Sequence, residues 1–216
     1  FYGMIILLAI LKIRTDFMKW IYLLPGILIV VILLIVLIPV FLHFHRIKKR
    51  KLAMCKIRPV LSRFCGLRRY RILADVGFMV HGKPVVVPYV VVGIFGILII
   101  TTIEDNGNIY GNLDDKHWVF DDEKEKRWYI PNWVKTNEAV VEILRRGLSK
   151  REIYRTQIDA ITVFPYRKRD LSVSTSLPVI RTSKFSSYLN RDRFNKENKV
   201  DIEKMADVVK QIAEEK

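Results

Sequence analysis

The sequence predicts an α/β domain with a mixed sheet flanked by helices over residues 72–216, preceded by a single transmembrane helix. A long apolar run that begins near Trp20 indicates the membrane helix. Two stretches, Val85–Val92 and Ile97–Ile103, are β-branched and apolar almost throughout, which is typical of strands buried on both faces. Apolar residues at helical spacing near Val140 and after Asp201 indicate helices that alternate with these strands.

The apolar run predicts a transmembrane helix at 18–45. A bilayer core of about 30 Å needs about 20 apolar residues, and residues 20–44 supply them. Trp20 and Tyr22 stand where an interfacial aromatic belt would place them. No small-residue cleavage site follows the run, so we expect a retained signal anchor. Residues 1–17 stay unassigned, because they could be a leader or the end of an upstream membrane segment.

The positive charge is concentrated directly after this run. Residues 46–71 carry eleven Lys and Arg and no acid, whereas residues 72–216 carry 23 basic and 21 acidic side chains, a net charge of only +2. The densest cluster is Arg46, Lys48, Lys49, Arg50 and Lys51. It predicts a single-pass protein of the cell membrane with a cytoplasmic C-terminal domain. The bilayer and its anionic headgroups are the expected partners of the cluster, and nucleic acid is the less favoured one.

Residues 46–71 also show helical periodicity. Ala53, Ile57, Leu61 and Phe64 recur at the spacing of one helix face, so a basic juxtamembrane helical segment is expected. Pro59 either kinks this helix or begins a second one.

Four strands and three turns are expected next, and the first turn is His81-Gly82-Lys83-Pro84. The strands are Ile72–Val76, Val85–Val92, Ile97–Ile103 and Asn108–Gly111. Gly93-Ile94-Phe95-Gly96 predicts a tight link between the second and third strands. Asn106-Gly107 predicts a hairpin that returns the chain into the fourth.

The remaining elements alternate between helices and strands. They are an exposed strand plus loop at 114–128, a helix from Asn132 or Thr136 to Arg146 stopped by Gly147, a strand at Ile158–Phe164, a short strand at Leu177–Ile180, a short helix at Ser183–Asn190 and a last helix capped by Asp201.

Three stretches of this pattern resemble the nuclease-related domain (NERD) family, which is placed in the restriction-endonuclease-like PD-(D/E)XK superfamily. They read RILADV, VVVPYVVVGIFGILIITTIEDNGNIYG and IDAITVF. The similarity runs over residues 57–212. It implies a restriction-endonuclease-like mixed sheet flanked by helices, with the first helix from about residue 57.

The resemblance also locates the active strand pair of the family, which typically reads I-D-H-x-V-V-G-x-x-G-V-x-x-I-E-x-K. The Asp and Glu bind Mg²⁺ and the Lys orients the attacking water. With Gly93 and Gly96 aligned, these positions fall on Pro88, Thr101 and Ile103. The acid of the family's first helix falls around Ile57 and its helical Gln near Thr136. The resemblance therefore implies a pseudo-enzyme without catalytic residues and without a cofactor.

Three functions are consistent with these observations. The favoured one is a membrane-anchored, inactive module for binding or scaffolding. The alternatives are a Mg²⁺-dependent nuclease with a relocated site at Asp75, Glu104 and Asp105, or a structural membrane protein that binds other proteins, whose identity stays open. If nucleic acid binds, the candidate contacts in the domain are Arg167, Lys168, Arg169, Arg191 and Arg193, with Arg181, Lys184 and Lys196 nearby in sequence. A solvated loop is the other interpretation of 167–169.

Overall fold

The computed structural model describes residues 28, 32–42, 44, 48, 51–122, 126–166, 168–174, 178–198 and 200–215. The chain divides into two compact units, Phe1–Lys48 and Lys49–Lys216. In the first unit the described residues are helical, and the exposed fractions of their large apolar side chains run from 45% at Val40 to 70% at Phe41.

No helix within the described ranges is long and apolar enough to cross a membrane. Much of the predicted span at 18–45 lies outside those ranges, and residues 1–17 lie wholly outside them.

The second unit contains four α-helices and nine strands within its described residues. The helices are α1 (residues 51–68), α2 (Trp133–Ser149), α3 (Thr182–Leu189) and α4 (Ile202–Glu214), and a 3₁₀ turn lies at Asp192–Phe194. The strands are β1 (Arg71–Val80), β2 (Lys83–Gly93), β3 (Gly96–Thr102), β4 (Asn108–Gly111), β5 (His117–Asp121), β6 (Arg127–Pro131), β7 (Ile158–Phe164), β8 (Leu171–Val173) and β9 (Val179–Arg181).

The larger sheet has the strand order β1-β2-β3-β7-β9. Its first three strands are antiparallel because two-residue turns join them: His81 and Gly82 both have positive φ, and Gly93 pairs with Gly96. Gly96 has a φ of 126°, and a Cβ there would lie 2.2 Å from the Gln157 carbonyl oxygen, so only glycine fits. β7 runs parallel to β3, which requires a long crossover, and the crossover contains β4, β5, β6 and α2.

Helices cover both faces of this sheet. Apolar residues of α2 and α4 pack on one face, and those of α1 and α3 pack on the other. Alternate residues of β3 belong to the apolar cores on the two faces of the sheet. Ile97 and Ile99 point to α2 and α4, while Leu98 and Ile100 point to α1 and α3. This two-sided burial is the reason that β2 and β3 are apolar throughout. The predicted mixed α/β architecture is confirmed.

A second mixed sheet, with the order β6-β5-β4-β8, corrects two predictions. The hairpin predicted at Asn106-Gly107 is wrong, because β4 pairs with β5 and β8 and not with β3. Neither residue has a positive φ. Gly107 instead allows close packing, since a Cβ there would lie 2.4 Å from the Phe120 ring. The exposed strand predicted at 114–128 is two strands, β5 and β6, with Trp118 fully buried between the sheet and α2.

The predicted N-terminal caps of α2 and α4 are confirmed, whereas the predicted end of α2 is wrong. Asn132 caps α2 by accepting hydrogen bonds from the amides of Val134 and Lys135, and Asp201 caps α4, as predicted. Gly147 does not stop α2. It lies where α2 meets α4, and a Cβ there would lie 2.6–2.7 Å from three atoms of Ile212. Nor does Pro59 interrupt α1, because it is exposed and removes only one intrahelical hydrogen bond.

The contact between α2 and α4 gives a stability prediction. We expect Gly147→Ala to lower the free energy of unfolding by about 1–3 kcal/mol through overpacking against Ile212, although alanine favours helices. The matched control is Gly66→Ala in α1, where a Cβ has nothing within 4 Å; it should raise stability by about 0.5–1 kcal/mol. Denaturant midpoints at unchanged slope measure both, and a neutral Gly147→Ala would contradict the close packing.

Candidate functional site

The central strands bring together the positions at which the resemblance places metal ligands. Tyr89 of β2 pairs with Ile100 of β3, so the next residues on the two strands are Pro88 and Thr101. Both side chains are buried. A proline ring has no ligand atom, and a threonine offers only a neutral hydroxyl.

Thr101 belongs to a buried hydrogen-bond network. It lies beside Thr162 in the parallel pairing of β3 and β7, with 3.0 Å between the two hydroxyl oxygens. The Asn137 side chain of α2 donates to both, at 3.1 Å from Thr101 Oγ1 and 3.0 Å from Thr162 Oγ1. The Thr101 hydroxyl is also within 3.4 Å of the Ile161 carbonyl oxygen, to which it can donate. The network therefore ties α2 to the two strands at the centre of the sheet.

These groups are neutral and almost fully enclosed. The exposed fractions are 1% for Thr101 and 0% for Thr162 and Asn137. Asn137 Oδ1 and the neighbouring Thr102 Oγ1 are buried without a hydrogen-bond partner among the described residues. Each such atom costs about 1–3 kcal/mol. The network presents no carboxylate to a hard cation, which is normally held by several oxygen ligands.

The other positions implied by the resemblance are also occupied by residues with structural roles. Ile103 is buried in the core under the second sheet, and Ile57 is buried under the first. The Thr136 hydroxyl donates to the Asn132 carbonyl at the start of α2 and does not reach β3. The polar residue of α2 that reaches β3 is Asn137. The sequence reasoning missed it, although it continues the buried stripe Val140, Leu144, Leu148 by one step of helical spacing.

The alternative metal ligands are divided between two places. Asp75 lies on β1 and lines a cavity beside α1 and Tyr89. Glu104 and Asp105 follow β3 near Tyr166, whose hydroxyl donates to the Glu104 carbonyl oxygen at 2.6 Å. Burial raises the pKa of Tyr166 above its ordinary value, and the carboxylates of Asp105 and Glu104 add to this effect. Nowhere in the described ranges do three or more His, Cys, Asp or Glu form a group that could hold a metal ion.

The candidate nucleic-acid contacts differ in what they touch. Arg193 forms an ion pair with Asp159 at 3.6 Å, and its guanidinium lies over the rings of Tyr188 and Phe194. Arg191 also lies over Tyr188, at 4.7 Å from the ring centroid. These two arginines therefore pack against an aromatic cluster at the end of α3.

The loop that follows β7 holds the other three candidates. The Arg169 side chain donates to Asn106 Oδ1 at 3.3 Å, Lys168 is exposed, and Arg167 lies outside the described residues. Of the predicted lipid contacts, Lys48 and Lys51 are described, both as helical and exposed, whereas Arg46, Lys49 and Arg50 lie outside the described residues.

The comparison with protein families decides the relationship. The sequence profile of the NERD family, the nuclease-related domain, matches residues 57–165. The chain belongs to the nuclease-related domain family. The match begins within α1 and ends directly after β7, so it includes β1–β7 and α2 with the Thr101–Asn137–Thr162 network. A search of curated proteins gave no match, and a search of solved structures gave none either.

The buried network in this family member gives a second prediction. Asn137→Ala removes two hydrogen bonds and leaves a small cavity, so we expect it to lower the free energy of unfolding by about 2–3 kcal/mol. In a Thr101→Val/Thr162→Val background, the same Asn137→Ala change should cost about 1–2 kcal/mol less, because no polar partner is then left unpaired. Chemical denaturation of the four chains measures the coupling, and purely additive effects would contradict the network.

Proposed function

We propose that this nuclease-related domain protein is a single-pass protein of the cell membrane. Its cytoplasmic domain, of restriction-endonuclease-like type, has lost nuclease activity and acts as a binding or scaffolding module. The observation that carries the proposal is the neutral Thr101–Asn137–Thr162 network on β3, β7 and α2, where the family resemblance places a metal-binding site.

The chemistry of the reaction supports the loss of activity. Metal-dependent hydrolysis needs carboxylates to hold the ion and a polar group to orient water. Pro88 and Ile103 supply neither at the aligned positions, and the only polar group of Thr101 is a neutral hydroxyl that is already hydrogen-bonded in the buried network. A relocated site is less favoured, because Asp75 lies beside Tyr89 while Glu104 and Asp105 lie beside Tyr166.

The membrane part of the proposal is supported by the sequence and by the described helical residues of the first unit. The run at 20–44 is long enough for a span. Apolar side chains between Ile32 and Leu42 are exposed on all sides of the helix, an arrangement that suits lipid better than water. The eleven basic residues at 46–71 suit the anionic surface of the cytoplasmic leaflet.

A nuclease assay tests the inactivity. We expect the purified full chain, in an uncharged detergent with Mg²⁺ or Mn²⁺, to leave single-stranded DNA, duplex DNA and RNA uncut. The matched control is Asp75→Asn/Glu104→Gln/Asp105→Asn, which should behave identically. Metal-dependent cleavage by the wild type that is lost in this variant would establish the relocated site and reject the proposal.

The membrane attachment has its own test. Replacing Arg46, Lys48, Lys49, Arg50 and Lys51 by Gln should weaken association with anionic vesicles or give a mixed topology, because about 1 kcal/mol of attraction is lost for each charge. The control variant neutralises five exposed lysines of the domain and should have neither effect. The five lysines are Lys116, Lys126, Lys196, Lys204 and Lys210. Protease protection of a C-terminal tag reports the topology. Recovery of the full chain in the soluble fraction would contradict the anchor.

A further inference from the structure

A cavity of about 500 Å³ lies between α1, β1 and β2, within the second unit. Its floor is apolar, and its rim carries two cations and one carboxylate. Lys51 and Arg58 come from α1, and Asp75 comes from β1. The other lining residues are Met54, Cys55, Leu61, Ser62, Ile72, Ala74 and Tyr89. The cavity therefore combines features that suit a ligand with a charged end and an apolar end.

Helical spacing aligns the two cations on the same side of α1. Lys51, Cys55, Arg58 and Ser62 stand at i, i+4, i+7 and i+11, which places them in a row along the helix. All four line the cavity. The backbone of α1 fixes the spacing of these four side chains, so their alignment does not depend on a flexible loop.

Tyr89 supplies a buried donor to the same space. Its exposed fraction is only 5%, and its ring packs in the core beneath α1. Burial raises the pKa of Tyr89 above its ordinary value, with Arg58 opposing the rise and Cys55 and Asp75 adding to it. The hydroxyl is therefore protonated at neutral pH, lies close to Arg58, Cys55 and Asp75, and forms no hydrogen bond with another residue in the described ranges.

The backbone of β1 turns Asp75 towards the cavity. Asp75 has a φ of 55° and is the one non-glycine residue with a positive φ within the described strands. Leu73 and Val76 both pack towards α2 and α4 although they are three residues apart, so the alternation of side chains changes phase at this point. The side of β1 that faces the cavity therefore carries two consecutive residues, Ala74 and Asp75.

The charges specify the kind of anion. Among the described residues that line the cavity, two cations and one carboxylate give a net charge of +1. A phosphodiester carries a single negative charge and fits this balance, whereas the second charge of a phosphate monoester would be repelled by Asp75. Lys51 also follows Phe44, the last residue of the apolar run, by only seven positions. This short separation along the chain favours a ligand of the bilayer surface over a soluble one.

We propose that this cavity binds the phosphodiester headgroup of an anionic phospholipid. Lys51 and Arg58 pair with the phosphate, the Tyr89 hydroxyl donates to it, and the glycerol end of the acyl chains lies over Met54, Leu61 and Ile72. The proposal rests on the membrane attachment proposed above. It differs from general attraction to the basic run, because it requires individual side chains of α1 and β2.

Cys55 provides a direct readout, because it lines the cavity and is exposed, whereas Cys65 is buried. Burial raises the pKa of Cys65 to about 12, so this thiol should not react with maleimide in the folded chain. Short-chain phosphatidylglycerol below its micelle concentration is the probe, added to the full chain in an uncharged detergent. We expect it to slow the alkylation of Cys55 several-fold in a saturable manner while Cys65 stays unmodified.

Single substitutions separate the site from general electrostatics. Arg58→Gln should weaken the protection by about tenfold in lipid concentration, the effect of losing about 1.4 kcal/mol in a charge-assisted hydrogen bond. Tyr89→Phe should weaken it by a smaller factor. The matched control is Arg63→Gln, which removes the same charge from α1 outside this cavity and should have no effect. Asp75→Asn should strengthen protection and allow short-chain phosphatidic acid to protect as well.

Three results would overturn the proposal. The first is equal weakening by Arg58→Gln and Arg63→Gln, and the second is no saturable protection by the lipid. The third is protection by inorganic phosphate or a short DNA oligonucleotide at least as strong as that by the lipid, which would assign the cavity to that ligand. Unchanged denaturation midpoints establish that the variants fold. The assay uses detergent-solubilised chain, so its failure is separate from a failure of membrane attachment, which vesicle association and protease protection measure.

Discussion

The parallel pairing of β3 with β7 is the interaction on which the rest of this domain depends. It joins the antiparallel β1-β2-β3 unit to the C-terminal half, and α2 lies over the junction. Asn137 fixes α2 to both strands through Thr101 and Thr162. The two hydrogen bonds that its amide nitrogen donates offset part of the cost of burying Asn137, and they specify the position of α2 in a way that apolar packing alone does not.

The same network places neutral side chains at the centre of this nuclease-related fold. Carboxylates that converge on a metal ion repel one another when the ion is absent, so they add little to stability. The threonines and the asparagine bond to one another and contribute to the core. In this member of the family, the centre of the sheet contributes to the stability of the fold, and the features suited to a ligand lie on the other face, beside α1.

The sequence predicted the elements whose pattern reflects burial and missed those that depend on distant contacts. β2, β3 and β7 were predictable because two cores enclose them, and the caps Asn132 and Asp201 because capping is local. The Asn106-Gly107 signal failed because pairing of β4 with β5 outweighs a local turn preference.

Two further features escaped prediction for the same kind of reason. The three-residue β8 is too short to show a pattern, and Trp118 and Phe120 of β5 lie in a charge-rich stretch that indicates exposure, so their burial was not predicted. For the candidate site, the positions of Pro88, Thr101 and Ile103 were implied by the family resemblance, with Gly93 and Gly96 aligned. The partner Asn137 did not, since only the tertiary structure shows which residue of α2 faces β3.

The crossover between β3 and β7 has a consequence for the order of folding. Turns of two residues close the β1-β2-β3 unit, so its contacts are local and form with little loss of chain entropy. Thr101 and Thr162 are 61 residues apart, so their contact closes a long loop, costs more chain entropy and is expected to form later. A ribosome therefore releases β1-β2-β3 with one edge of β3 unpaired, and that apolar edge stays open to other chains until β7 is synthesised.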